Sequence, residues 1–183
     1  MTSRAGGRWA ERLAREHLAL LPRRVAHLEG VARRAGEAAS VVADPELLIA
    51  AAWLHDIGYG PALVETGFHP LDGAHYLRRI GAAERLCGLV ANHSSARIEA
   101  RRRGIPIEWA DEESAERDAL WWADTTTTPT GHVTTVSARL AEVEARYGAD
   151  HIVTLSVAEA APSLLAAAER TEQRIRRVRG QVK

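Results

Sequence analysis

Residues 44–58 read DPELLIAAAWLHDIG and predict a buried helix that ends in a histidine–aspartate pair. Asp44 is a residue type that caps helix N-termini, and Pro45 fits the first helical position. Residues 47–54 are apolar on every side, which is typical of a helix at the centre of a bundle. Gly58 favours the end of the helix. This stretch therefore places two potential metal ligands at the end of a core helix.

The rest of the chain is also predicted to be helical. Apolar residues recur at helical spacing, and no alternating pattern is long enough to predict a strand. The sequence therefore predicts an all-α fold, a single globular helical bundle with additional C-terminal helices. Besides the central helix, helices are expected over residues 7–21, 23–43, 70–81, 82–93, 95–103, 114–126, 135–147, 150–160 and 162–179. Pro162 is expected at the first position of the last one.

The composition is typical of one soluble domain. The chain has 183 residues, and 46% of them are apolar, which is enough for a hydrophobic core. Its 24 basic and 24 acidic residues cancel, so no overall field favours nucleic acid or an anionic membrane. Cys87 is the single cysteine, the N-terminus has no apolar signal core, and the longest apolar run is too short to span a bilayer. We expect a cytoplasmic protein.

Four further residues of metal-ligand type flank the His55-Asp56 pair. Imidazole nitrogens and carboxylate oxygens together suit iron, manganese, cobalt, nickel or zinc. Each residue also has an ordinary alternative: a buried histidine can bind a carbonyl, and an acid that follows two tryptophans can cap a helix or pair with an arginine. Two other histidines are alternative ligand candidates: His17 in place of His27, and His75 in place of His69. The candidates, in chain order, are His27, His55, Asp56, His69, His93 and Asp124.

The motif Trp-Leu-His-Asp-Ile-Gly at 53–58 resembles that of the HD-domain metal-dependent phosphohydrolase superfamily, and the resemblance extends from residue 23 to about 128. It implies an HD domain in residues 23–128. Outside it we expect an N-terminal helix in residues 1–22 that packs on the bundle and a C-terminal helical extension in 129–183. The resemblance also implies a first divalent transition-metal ion held by His27, His55, Asp56 and Asp124.

The His-Pro-x-x-Gly-Ala element at 69–74 is similar to that of two-metal members of the superfamily. The resemblance then implies a second ion held by His69 and His93, with Asp56 bridging the two ions. Asp56 and His93 are the residues expected to act in catalysis, through a metal-bound hydroxide.

The motif departs from the superfamily at position 59. Many members have a lysine there, near the substrate phosphate, whereas this chain has Tyr59. An arginine can supply the missing positive charge. Arg97, four residues after His93, is the favoured candidate over Arg78 and Arg79. Thr125 and Thr128, in a threonine run that follows Asp124, are further predicted substrate contacts.

Three functions follow from the resemblance. The leading one is a metal-dependent phosphohydrolase that acts on a small phosphorylated metabolite or nucleotide. The alternatives are a mixed-valence di-iron HD-type oxygenase and a non-catalytic, nucleotide-binding HD scaffold. We expect a small-molecule substrate, no nucleic acid or membrane partner, and a possible homodimer. His132 and His151 match no motif and are expected at the surface.

Overall fold

The computed structural model describes residues 6–181 and confirms the all-α fold. Within that range the β-structure amounts to one isolated bridge, between Thr127 and Val133. Residues 1–5 and 182–183, at the outer ends of the predicted N-terminal and C-terminal segments, lie outside the described residues. The α-helices are α1 (Gly7–His17), α2 (Pro22–Glu37), α3 (Pro45–Leu54), α4 (His69–Arg79), α5 (Glu84–Ala91), α6 (Ala96–Arg103), α7 (Ala115–Thr125), α8 (Val136–Tyr147) and α9 (Ile152–Gln181).

Helix α3 is the central helix of the bundle, as its sequence predicts. The Asp44 side chain accepts a hydrogen bond from the backbone amide of Leu47 (3.0 Å), and Pro45 occupies the first turn. Residues on all sides of the helix are buried, and α1, α2, α5 and α7 pack around it. The end of α3 therefore brings His55 and Asp56 into the interior of the molecule.

Gly58 lets α4 begin beside this pair. A Cβ atom at position 58 would lie 2.0 Å from the carbonyl oxygen of His69, a distance that no side chain tolerates. The turn Ile57–Tyr59 therefore packs directly against the first turn of α4. This close approach places His69 next to Asp56.

A pair of glycines, Gly30 and Gly131, positions α2. A Cβ at Gly30 would lie 2.6 Å from the carbonyl oxygen of Gly131, so α2 contacts the loop that follows α7 at backbone distance. Gly131 has a positive φ of 81°, which favours glycine at that position as well. Because of this contact, His27 of α2 reaches the carbonyl of Thr128 and the end of α7.

The C-terminal region corrects one prediction. Residues 150–160 and 162–179 were expected to form two helices, but α9 is continuous and contains Pro162 in its interior. Proline removes one hydrogen bond from a helix and leaves a carbonyl four residues earlier without its partner. That carbonyl belongs to Ala158, which is exposed, as is Pro162, so water can satisfy it. Exposure of this face explains why the proline does not end the helix.

The ends of two other helices also differ from the prediction. Helix α1 ends at His17 rather than at residue 21, and α2 ends at Glu37 rather than at 43, followed by a separate 3-10 turn, Ala39–Val41. The prolines that follow the predicted ends, Pro22 and Pro45, each begin the next helix. They mark where a new helix starts, and the preceding helix is free to end several residues earlier.

Helix α9 is long and apolar enough to cross a membrane by length and composition, with a mean hydropathy of 1.3 in its most apolar window. A core helix of a soluble protein passes the same test. Part of α9 is buried against α6, α7 and α8, and Arg170 and Arg174 on it bind Asp118 of α7. These contacts make α9 part of the bundle.

Candidate metal centre

The structure brings all six predicted metal ligands together. They come from three helices and from the residues that follow α3 and α5: α2 supplies His27, His55 and Asp56 follow α3, α4 begins with His69, His93 follows α5, and α7 supplies Asp124. Three overlapping groups of these side chains have ligand atoms within 4.8 Å of one another. Four of the residues are at least 95% buried, which is unusual for histidine and aspartate without a partner.

Asp56 connects two groups of histidines through its two carboxylate oxygens. Oδ2 lies 3.5 Å from His55 Nε2 and 4.0 Å from His27 Nε2. Oδ1 lies 3.1 Å from His69 Nε2 and 3.7 Å from His93 Nε2. One oxygen therefore faces each group, which is the arrangement that a carboxylate bridging two ions requires.

Asp124 completes the first group. Its Oδ1 lies 3.1 Å from His27 Nε2 and 3.8 Å from His55 Nε2. Its other oxygen accepts a hydrogen bond from the Ser94 hydroxyl. Ser94 has a positive φ of 51°, so the backbone turns sharply after His93. This turn lets two successive residues face the cluster.

Backbone contacts orient three of the imidazole rings. The Nδ1 atoms of His27, His55 and His93 lie 2.7–3.0 Å from the carbonyl oxygens of Thr128, Ala52 and Val90. A carbonyl only accepts, so each Nδ1 carries the proton. In a neutral ring, Nε2 then presents its lone pair to the centre of the cluster, as in metal-binding histidines.

One unpaired imidazole nitrogen and one close pair of imidazole nitrogens indicate that the residues fit metal ions. His55 Nε2 is buried without a hydrogen-bond partner, and such atoms are rare in folded proteins. The Nε2 atoms of His69 and His93 lie only 3.3 Å apart. A cation that accepts these lone pairs would satisfy both features, and nitrogen with carboxylate donors suits divalent transition metals.

The electrostatics of the cluster favour the forms that ligate metal. Burial lowers the pKa of His55, His69 and His93, which keeps these rings neutral. Burial acts against the charge of Asp56, but Arg24 and the histidines outweigh it and hold its pKa well below the usual range. The pKa of Asp124 is also lowered against the effect of burial, chiefly by its contact with His27. The two carboxylates are thus ionised at neutral pH.

Arg24 is a site residue that the sequence analysis missed. Its Nη1 donates to Asp56 Oδ2 at 2.5 Å, and its guanidinium lies 4.0 Å from the centre of the Tyr59 ring. Tyr59 in turn stacks on His69, with ring centres 4.0 Å apart and planes 18° from parallel. Arg24 lies one helical turn before His27, on the same face of α2, and this spacing was the available signal.

The predicted substrate contacts divide into two groups. Tyr59 and Thr125 line the cavity above the cluster. Thr128 does not line it, since its carbonyl binds His27 and its hydroxyl contacts Thr130. Arg97 does not line this cavity either. It donates to the side chain of Asn92 and to the carbonyl of Trp109, away from the cavity.

The other arginines and histidines considered from sequence lie elsewhere or at the rim. Arg78 binds Glu84 and Glu108 at the surface, and Arg79 pairs with Glu65. His132 and His151 are both exposed, as expected, but His151 lies at the rim of the cavity, stacked on Tyr147.

The cavity above the cluster has a volume of about 400 Å³, a size typical of small-molecule sites. Its floor contains Arg24, Tyr59 and all of the metal-ligand candidates except His55. Residues of α8 and α9 also line the cavity. The cluster is therefore accessible to a small molecule.

The helical bundle and its buried histidine–aspartate cluster, which could hold a metal ion, are those of an HD-type domain. The sequence model of the HD domain family matches residues 24–126, more than half of the chain, and the chain belongs to this family. Members of the family are generally metal-dependent phosphohydrolases. No curated protein matches the chain, and no solved structure matches it.

Proposed function

We propose that the protein is a metal-dependent phosphohydrolase that acts on a small phosphorylated molecule. The observation that carries the proposal is the position of Asp56, whose two oxygens face separate groups of histidines while Arg24 binds it from the cavity side. Family membership and the size of the cavity support the same function.

Divalent ions held by the six candidate ligands would lower the pKa of water and offset the negative charge of a phosphoryl group. His27, His55, Asp56 and Asp124 are the proposed ligands of the first ion. His69 and His93 are the proposed ligands of the second, with Asp56 shared between both. Asp56 and His93 each belong to two of the three groups of close ligand atoms, and we retain them as the residues proposed to act in the chemistry.

Arg24 is the proposed phosphate-binding residue. Its described polar contact is Asp56, which uses one of the five N–H groups of the guanidinium. The others are free to donate to the oxygens of a phosphoryl group, a geometry for which arginine is well suited. Stacking on Tyr59 holds the guanidinium plane in place. Arg24 can thus supply the charge that other members of the superfamily obtain from a lysine at position 59.

The test is phosphate release from a panel of phosphomonoesters, measured with protein as purified and after chelation. We expect chelation to abolish activity, readdition of metal to restore it, and His55→Ala to lower kcat at least about 100-fold. His132→Ala is the matched control, because His132 is exposed and lies outside the cluster. Chelation that abolishes activity while His55→Ala leaves it unchanged would contradict the assignment. Oxygen consumption by iron-loaded protein without phosphate release would favour the di-iron alternative.

We also propose that the protein acts in the cytoplasm and recognises a small molecule rather than nucleic acid or a membrane. The balanced charge supports recognition of a small molecule rather than nucleic acid or a membrane. The single cysteine, Cys87, is buried and fits a cytoplasmic protein. Burial raises the pKa of its thiol to about 11, so it is a poor nucleophile. A homodimer remains a prediction.

A further inference from the structure

The C-terminal region lines one side of the cavity with apolar side chains, beside Arg139, Arg146 and His151. We call the apolar part of this side the far wall, and its residues are Leu140, Val143 and Tyr147 of α8 and Val153 and Val157 of α9. All of them lie after residue 126, outside the part of the chain that matches the HD family. The far wall therefore lies outside the part of the chain that matches the shared domain.

Two apolar side chains that line the cavity are exposed to solvent: Val64, and Tyr147 of the far wall. Val64 is 56% exposed and Tyr147 is 38% exposed, and both line this cavity. Large apolar side chains that remain exposed around a concave site commonly contact a ligand. Leu140, Val153 and Val157 are themselves only half-buried, so a molecule in the cavity would cover them.

The arginines around the far wall are already paired. Arg139 and Arg146 both bind the carboxylate of Glu142, and Arg103 binds Glu99. Among the described arginines that line the cavity, Arg24 is the one beside the metal cluster. A second phosphate or carboxylate at the far end of a substrate would compete with Glu142 and Glu99 for the other arginines.

Hydroxyl groups on the floor of the cavity are also engaged. Ser94 donates to Asp124, and Thr125 donates to the carbonyl of Trp121. A polyhydroxylated substrate loses water on entering the cavity and needs new hydrogen-bond partners, which the leucine and valine side chains of the far wall do not offer. An apolar group gains free energy from the same transfer.

We propose that the substrate is a phosphomonoester with one apolar organic group, alkyl or aromatic, which packs against the far wall. This inference rests on the proposed phosphohydrolase function and narrows its substrate class. It assigns specificity to α8 and the start of α9, while the HD domain supplies the phosphoryl site. Sugar phosphates and molecules with a second anionic group at the far end are then poor substrates.

Binding tests the inference independently of turnover. Phenylphosphonate and methylphosphonate share a head group that is not hydrolysed, and they differ in the apolar part. We expect phenylphosphonate to bind at least about tenfold more tightly than methylphosphonate, as measured by calorimetry with protein as purified and under nitrogen. Leu140→Asn and Val153→Asn should each remove most of this preference. Leu165→Asn is the matched control, because Leu165 is an exposed leucine of α9 outside the cavity.

Hydrolysis gives a second readout. n-Propyl phosphate and glycerol phosphate have the same number of carbon atoms but differ by two hydroxyl groups. We expect kcat/KM to be about tenfold higher for n-propyl phosphate, and Leu140→Asn to reduce the difference through KM. Phenyl phosphate distinguishes an aromatic from an alkyl preference.

The outcomes separate this inference from the proposed function. Hydrolysis of glycerol phosphate as fast as n-propyl phosphate, with equal binding of the two phosphonates, would overturn the inference and leave the phosphohydrolase intact. A preference for phenylphosphonate that is lost in Leu140→Asn, without hydrolysis of any ester, would support the apolar far wall and refute the phosphohydrolase. Absence of binding by either phosphonate, together with no hydrolysis of any ester, would overturn both.

Discussion

Asp56 combines three interactions in one buried carboxylate. It faces His55 and His27 with one oxygen, His69 and His93 with the other, and it accepts a hydrogen bond from Arg24. A buried carboxylate without such partners would be costly. Its surroundings therefore make it the most constrained residue in the site.

Replacement of Arg24 tests its role as a phosphate-binding residue. We expect Arg24→Ala to raise KM for phosphomonoesters about 10- to 100-fold, since a charge-assisted hydrogen bond contributes about 1.5–3 kcal/mol. The metal content should stay unchanged, because Arg24 is not among the ligand candidates. Steady-state kinetics and elemental analysis provide the two readouts.

Arg23→Ala is the control, because Arg23 is the exposed neighbour of Arg24 on the same helix. An equal KM in both variants would show that Arg24 does not contact substrate. A loss of metal in Arg24→Ala would instead assign it to holding Asp56 in place.

The residue scale also shows how far sequence could predict the site. The six ligand candidates followed from a motif, because ligand chemistry restricts residue type and order. Arg97 was chosen for its closeness in sequence to His93, but its guanidinium is bound by Asn92 and by the carbonyl of Trp109. Arg24 was missed because its partner, Asp56, is 32 residues away in the chain.

At the scale of elements, Gly58 determines how closely α4 approaches the end of α3. We expect Gly58→Ala to lower the free energy of unfolding by about 2 kcal/mol or more, because its Cβ would collide with backbone atoms. The metal content should fall as well, since His69 would move away from Asp56. Chemical denaturation and elemental analysis measure the two effects.

Gly36→Ala is the matched control for this substitution. Gly36 is an exposed residue in the last turn of α2, and nothing lies within 4 Å of a Cβ at that position. Gly36→Ala should leave the free energy of unfolding unchanged or raise it by about 0.5 kcal/mol, because alanine favours the helix. Similar destabilisation by both substitutions would contradict the account of Gly58.

The continuity of α9 makes a second prediction at this scale. In the middle of a helix, proline costs a hydrogen bond, so Pro162→Ala should stabilise the protein by about 1–3 kcal/mol and raise Tm by about 3 °C or more. Differential scanning calorimetry measures this change. If Pro162 instead began a separate helix, the substitution would leave Tm unchanged or lower it, because proline is favoured at a first position.

The sequence predicted α3 correctly and α9 incorrectly for related physical reasons. Helix α3 is defined by local signals, a capping aspartate and a proline at its start, that the structure uses directly. In α9 the same kind of signal, Pro162, is overridden by packing of the helix on both sides of it against α6, α7 and α8. Local propensity is a weak guide where tertiary contacts fix a helix.

At the scale of the whole molecule, Asp118 connects the HD domain to the C-terminal helix. It is buried on α7 and accepts hydrogen bonds from Arg170 and Arg174 of α9. Burial acts against its charge, but the two arginines outweigh this effect and lower its pKa below the usual value of an aspartate. These ion pairs attach the C-terminal half of α9 to α7.

The lowered pKa of Asp118 predicts a pH dependence of stability. A carboxyl with a depressed pKa in the folded state contributes stability above its unfolded pKa, and loses it as the pH falls through the folded value. Asp118→Asn should therefore cost about 1 kcal/mol between about pH 5 and pH 7, since the arginines are partly exposed. The difference from wild type should shrink below about pH 4, the ordinary pKa of an aspartate. A difference that is independent of pH would show that the charge of Asp118 is not the cause.

The cavity could not have been predicted from the sequence. Its floor comes from residues that a motif identifies, but its far wall depends on how α8 and α9 fold over the domain. Val143 and Val157 carry no signal in the sequence that distinguishes them from any other valine on a helix. Contacts of this kind follow from three-dimensional packing, which residue spacing does not encode.

Metal content is the most direct test of the central claim that the six histidine and aspartate residues form a two-ion site. Elemental analysis of protein purified without chelator and without oxygen should give about two equivalents of a divalent transition metal per chain. His69→Ala should lower this to about one, and His55→Ala should remove the first ion. One equivalent in the unmodified protein would contradict the second ion at His69 and His93, and no metal after attempted reconstitution would contradict the account as a whole.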